Sequence, residues 1–131
     1  MTEFHSTIED DERRNFRVPV QEKSFLYPVD GSWKGRRAIE TIDLSCGGIA
    51  FYSDSGMNSG DVAEVVIPMT ANPLLLQIKL LRKDEVTAER ARYAAKFVAL
   101  QPEEDQMICE AVFNIQLQNR SQKKTTEEME G

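Results

Sequence analysis

The sequence predicts a mainly β fold: a small antiparallel barrel or sandwich followed by one C-terminal helix. Three observations predict it. Short apolar runs recur between residues 24 and 100, each ended by a turn signal such as Asp30-Gly31, Gly47-Gly48 or Ser55-Gly56. Several of these runs alternate with period two, as a half-buried strand requires. From Pro102 onward the apolar period changes to that of a helix.

The elements follow in order. Residues 1–12 are polar and acidic and predict a flexible segment. Ser24 to Val29 is the first strand; Pro28 places it at an edge, because proline cannot donate to a ladder. Arg36 to Leu44 is the second, running into Gly47-Gly48, where glycine permits positive φ and close backbone approach. Ile49 to Ser53 and Val62 to Ile67 are the third and fourth. Leu74 to Leu81 is the fifth, with Leu74, Leu76, Ile78 and Leu80 on one face. Arg92 to Leu100 is the sixth, alternating through Tyr93, Ala95 and Phe97. Six short strands with turns between them suit a barrel or sandwich.

The helix is expected over 102–121. Pro102 suits its first turn, and Glu103, Glu104 and Asp105 suit the positive end of its dipole. Ile108, Ala111, Val112 and Ile115 form its apolar stripe. Met107 and Phe113 are assigned to the core, and the Phe113/Leu117 pair widens the stripe. Residues 122–131 are read as a disordered tail, which leaves 13–121 as the folded domain.

Composition narrows the function. The chain has 131 residues and a formal net charge of −6. That length supports one domain, and no apolar run reaches the roughly 20 residues of a membrane span. The N-terminus has no basic flank or apolar core, so no signal peptide is expected and the location reads as cytoplasmic. The two cysteines, Cys46 and Cys109, form no CxxC pair and are expected as reduced thiols, Cys46 as an unreactive small residue. The single histidine, His5, leaves little for zinc or Ser/His chemistry, and no metal or cofactor is expected. The charge is uneven. Residues 1–12 hold five acidic and no basic side chains, whereas 13–37 carry seven basic against two acidic. A basic island in an acidic protein points to a confined anion site rather than a broad nucleic-acid face.

Two motifs bear on chemistry. Arg13 and Arg17 stand four apart in Arg13-Arg14-Asn15-Phe16-Arg17, and Asp43-Leu44-Ser45-Cys46-Gly47-Gly48 lies at a strand end. Arginine offers a planar donor fork for phosphate oxygens or the O6 and N7 edge of guanine. The Asp43 carboxylate only accepts, matching the N1–H and N2 donors of guanine, and the Ser45 hydroxyl can donate to a phosphate. The plainer reading of Asp43 and Ser45 is a side-chain cap on a turn.

Taken together, the pair resembles the PilZ domains, bacterial receptors for cyclic di-GMP. Arg13-x-x-x-Arg17 followed by Val18-Pro19-Val20 matches their first motif, and Asp43-x-Ser45-x-x-Gly48 before Ile49-Ala50-Phe51 matches their second. The likeness continues through Leu80-Leu81-Arg82 and Tyr93 to Val98 into the helix. The resemblance implies a six-stranded antiparallel β-barrel with a C-terminal α-helix. It implies that Arg13 and Arg17 bind guanine edges and phosphates, that Asp43 takes the Watson–Crick edge, and that Ser45 supports a phosphate or base. Gly48 would leave room for the ligand. Arg14 would add a phosphate or stacking contact, and Arg82 and Leu81 lie where relatives often touch it. Glu12 stands where many relatives carry another arginine, which favours fewer ligands per chain.

The function implied is a non-enzymatic cyclic di-GMP receptor or adaptor. It would change its surface to regulate an effector protein, with biofilm, motility or polysaccharide output. Residues 1–17 are expected to be mobile until the ligand orders them. The alternative is a small barrel binding single-stranded nucleic acid through the basic island with Phe16 and Trp33, which the net charge opposes. An adaptor without a ligand is a third reading, opposed by the intact motifs. Asp43 and Ser45 have no partner base, which argues against an enzyme.

Overall fold

The computed structural model describes residues 16–29, 33–70 and 72–130, the stretch 121–130 as backbone only. Among these described residues seven strands precede one helix: β1 Val18–Pro19, β2 Lys23–Pro28, β3 Arg37–Leu44, β4 Gly48–Asp54, β5 Val62–Ile67, β6 Leu74–Glu85, β7 Arg90–Phe97 and α1 Pro102–Glu130. Six strands close a barrel in the order β3-β2-β5-β6-β7-β4, with β4 returning to β3. Every pairing is antiparallel, and β1 lies outside the ring on β3. The fold is therefore the six-stranded barrel with a C-terminal helix that the motifs imply.

Alternation builds the interior. Leu76, Ile78 and Leu80 of β6 point inward, as do Ala91, Tyr93 and Ala95 of β7 and Ile49 and Phe51 of β4. Phe51 and Tyr93 stack with ring centroids 5.5 Å apart. One expectation fails at β2. It is an interior strand, flanked by β3 and β5, although Pro28 had placed it at an edge. The proline is accommodated because it lies beyond the last β3 pairing and faces only Ala63 of β5.

β1 and β2 run along the same side of β3. Val18 and Pro19 face Leu44 and Asp43, then Lys23 to Leu26 face Glu40 to Arg37, and the register slips by one residue between the two stretches. Thr41 bridges the slip. Its hydroxyl donates to the Val20 carbonyl and accepts the Glu22 N–H, each at 2.8 Å. Residues 17–23 thus form a strap on β3, anchored by buried Val18.

The helix begins with the Gln101 N–H donating to the Glu104 carboxylate at 2.9 Å, half of a capping box. It runs nine residues past the predicted end at 121, since neither glycine nor proline interrupts the sequence before Gly131. Ile108, Ala111 and Val112 are buried and Ile115 is half-buried. Met107 and Phe113, assigned to the core, are instead exposed, Phe113 at 59%. Only one stripe of α1 meets the barrel, so side chains a third of a turn away reach solvent.

Cys46 and Cys109 are also corrected. The fold lays the β3–β4 turn against α1 and joins the two as a disulfide, Cα to Cα 4.8 Å. Among the described residues no helix is long and apolar enough to cross a membrane.

Candidate functional site

The site grows from the end of β3. A bulge between Thr41 and Asp43 shifts the pairing with β4, and bulges of this kind re-aim the side chains beside them. The strap pairs Pro19 with Asp43, which sets Arg17 next to the carboxylate. Arg17 Nη1 donates to Asp43 Oδ1 at 2.8 Å, with 51% of the arginine side chain and 18% of the aspartate accessible. Two residues 26 apart in sequence, one from each motif, are thereby joined.

Ser45 and Gly48 form the turn that follows. The Ser45 N–H donates to the Gly48 carbonyl at 2.9 Å, and the Gly48 N–H donates to Ser45 Oγ at 3.1 Å. Ser45 is 3% exposed, so its hydroxyl is spent on the turn. Neither Gly47 nor Gly48 adopts positive φ. The need for glycine at 48 is close approach: a β-carbon there would collide with the Ala95 carbonyl oxygen of β7. The room at Gly48 is taken by backbone.

The pairing register extends the site across the outer wall. Asp43 faces Ala50, Ala50 faces Ala94, and Ala94 faces Arg82. The flanking residues Ile49, Phe51, Tyr93 and Ala95 lie in the core, so Ala50 and Ala94 take the outer positions of their strands by alternation; even there Ala50 is buried and Ala94 half-buried. Two methyl side chains, one of them covered, separate Asp43 from Arg82. At about 4.8 Å per strand, the row spans about 14 Å. Arg82 is exposed, and its Nε donates to Asp84 at 3.0 Å. Leu81, at the bulge between Leu80 and Arg82, is exposed too.

Sequence reading missed the two alanines and Lys96. Lys96 stands opposite Gly48 and faces outward, bringing a second cation to the same row end. The signal was the run Tyr93-Ala94-Ala95-Lys96, where small and basic residues take the outer positions. Arg13 and Arg14 lie outside the described residues. So does most of the segment expected to be mobile; of its last two residues, Arg17 is held by Asp43.

The basic island does not form one patch. Arg36 lies over the Phe25 ring at 4.1 Å, and Arg37 lies over Trp33 at 5.3 Å and pairs with Asp54. Arg37 and Asp43 are at opposite ends of β3, about 20 Å apart at the rise of a strand.

Comparison with known proteins places this architecture. No curated protein sequence matches the chain. Among solved structures, the chain is similar to the PilZ domain with c-di-GMP of YcgR from Escherichia coli, with 14% identity and a TM-score of 0.68, covering 86% of this chain and 97% of that one. It is similar to YcgR in complex with c-di-GMP from the same organism at 17% identity and a TM-score of 0.69, covering 87% of this chain but 50% of that one. A third similar structure is the Bacillus subtilis inhibitor of motility MotI/DgrA, with 15% identity and a TM-score of 0.63, covering 81% and 52%. The chain thus spans a PilZ domain in full and about half the length of these larger proteins. Identities this low establish a common fold. The sequence profile of the PilZ domain matches residues 11–114, most of the chain, and that match includes both motifs. This chain belongs to the PilZ domain family.

Proposed function

We propose that this chain is a non-enzymatic receptor for cyclic di-GMP which regulates a partner protein by changing its surface. The observation that carries the reading is the Arg17–Asp43 pair, which joins one residue of each motif and stays partly open to solvent. A guanine base offers N1–H and N2–H donors to a carboxylate, while arginine serves its O6 and N7 edge or a neighbouring phosphate. The two similar YcgR structures contain c-di-GMP, which supports the same ligand here.

In this reading Asp43 takes the Watson–Crick edge of one guanine. Arg17 stays beside it and turns its exposed face to the ligand, with Arg13 and Arg14 closing from the preceding segment. Ser45 and Gly48 act by shaping the turn that holds Asp43, rather than through the direct phosphate or base contact expected of Ser45. Arg82 meets the far side of a ligand that reaches across the outer wall from Asp43. The receptor domain spans residues 13–121, with α1 continuing beyond it, the protein works in the cytoplasm, and its output is motility, biofilm or polysaccharide control. Glu12 opposes a second ligand molecule.

Calorimetric titration tests the reading. Cyclic di-GMP is expected to bind the wild type, and Asp43→Ala to weaken it far more than it weakens cyclic di-AMP, because adenine lacks the donors that Asp43 accepts. Binding of a labelled single-stranded oligonucleotide in preference to cyclic di-GMP would replace the reading with the nucleic-acid one.

A further inference from the structure

The disulfide joins two parts of the molecule that meet at the proposed site. Cys46 directly follows Ser45, in the turn that ends β3, and is 3% exposed. Cys109 is half-buried on α1, beside fully buried Ile108. Their Cα separation of 4.8 Å lies within the range a disulfide spans, across 63 residues of chain. Further along, α1 reaches the strap as well: Asn119 Nδ2 donates to the Pro19 carbonyl at 3.5 Å. The helix therefore touches both the turn below Asp43 and the strap that places Arg17.

We propose that Cys46 and Cys109 are a reversible thiol–disulfide modification site that clamps α1 onto the motif turn and so sets its readiness for ligand. The bond ties the turn covalently to α1. With it, residues 45–48 cannot shift unless the helix shifts too. The chemistry is exchange with an oxidised low-molecular-weight disulfide. Cys109, the more accessible thiol, attacks as thiolate, forms a mixed disulfide and releases one small thiolate. Buried Cys46 then attacks the Cys109 sulfur, forms the internal bond and releases the second. The protein loses two protons and two electrons, and the small disulfide becomes two thiols.

The consequence for binding rests on the dinucleotide reading above. A turn already ordered by the clamp has less conformational freedom to lose when ligand arrives, so the oxidised form binds more tightly. By linkage, bound ligand favours the oxidised pair by the same factor.

The test uses the full chain, incubated with oxidised or reduced glutathione. Peptide mapping is expected to recover a Cys46–Cys109 linked peptide in the oxidised sample, reversed by dithiothreitol. Amide exchange across residues 44–50 is expected to slow on oxidation in the wild type and not in Cys109→Ser. Cyclic di-GMP is expected to bind the oxidised form about fivefold more tightly or better. Failure to recover the linked peptide, or a linked protein with unchanged exchange, overturns the clamp. Equal affinity of the two forms overturns its coupling to the site. A clamp that forms and slows exchange in a chain that binds cyclic di-GMP in neither state supports the modification site and overturns the dinucleotide reading instead.

Discussion

At the Arg37 end of the barrel the charged pair and the Tyr93 hydroxyl are tied into the fold, although Arg37 Nε and Trp33 Nε1 stay unpaired, whereas at the Asp43 end the ion pair is partly open to solvent. The Tyr93 hydroxyl donates to the Asp54 carbonyl at 2.6 Å and accepts the Met57 N–H at 3.3 Å, from a ring with no exposed surface. Arg37 is pinned between Asp54 and the Trp33 ring, and Asp54 also accepts the Gly56 N–H at 2.9 Å. At the other end Arg17 has half its side chain accessible and, among the described residues, the Asp43 carboxylate as its partner. Ion pairs of that kind contribute about 0–1 kcal/mol, so little folding energy is committed there. One end secures the barrel, and the other keeps donors and acceptors for something else.

Substitutions can break that division. The largest effect is expected from Trp33→Ala, which empties a buried site at the closed end. It should cost about 3–5 kcal/mol in urea unfolding and leave the ligand dissociation constant near that of the wild type. Trp33→Phe should cost less, since the buried Trp33 Nε1 has no hydrogen-bond partner to lose. Arg17→Ala should do the reverse. Losing one side of a charged contact typically costs about 2–5 kcal/mol, so calorimetry should show roughly 30-fold weaker cyclic di-GMP binding or worse, with an almost unmoved urea midpoint.

Gly48→Ala tests where the two roles overlap. Its β-carbon meets the Ala95 carbonyl, so β4 and β7 must separate, at about 1–3 kcal/mol, and the turn under Asp43 moves with them. Both the midpoint and the affinity should fall. An effect on affinity alone would mean that the glycine serves the ligand rather than the barrel.

Tyr93→Phe should cost about 1–3 kcal/mol at neutral pH by stranding its backbone partners. Burial pushes the Tyr93 phenol above its ordinary value of 10.0, opposed by the hydrogen bond with Met57 and reinforced by nearby Asp54. The folded state therefore holds this proton more tightly than the unfolded state. Its contribution is fully present below pH 10 and lost as pH rises through the folded value. Urea midpoints of the wild type should drop over that alkaline range, and those of Tyr93→Phe should drop less.

The legible parts of the fold were those with a repeating physical signal. Alternation in Leu74–Leu81 and Tyr93–Phe97 marked inner and outer faces, and the change of period at Pro102 marked the helix. β1 was illegible because two residues carry no period; its strand character comes from β3 alone. Pro28 was misread because a proline reports a missing donor, which an interior strand tolerates past the end of one neighbour. Met107 and Phe113 were misread because hydrophobicity does not say how much of a helix the barrel covers. Of the site, Arg17 and Asp43 were legible as motif residues. Ala50, Ala94 and Lys96 join them only through register, and Cys46 meets Cys109 only through the packing of α1 across 63 residues.

The one-residue slip between β1 and β2 makes the strap a ruler. Distance from Arg17 to the barrel is measured in ladder steps along β3 rather than in slack loop. A residue removed from positions 20–22 would carry Arg17 to the opposite face of its strand, since neighbouring side chains point in opposite directions. Residues added between β2 and β3 would lengthen a connection at the far end of the barrel and leave Arg17 facing Asp43. The spacing that matters between the two motifs is therefore counted along the paired backbone, and the number of residues separating them in the chain is free to change.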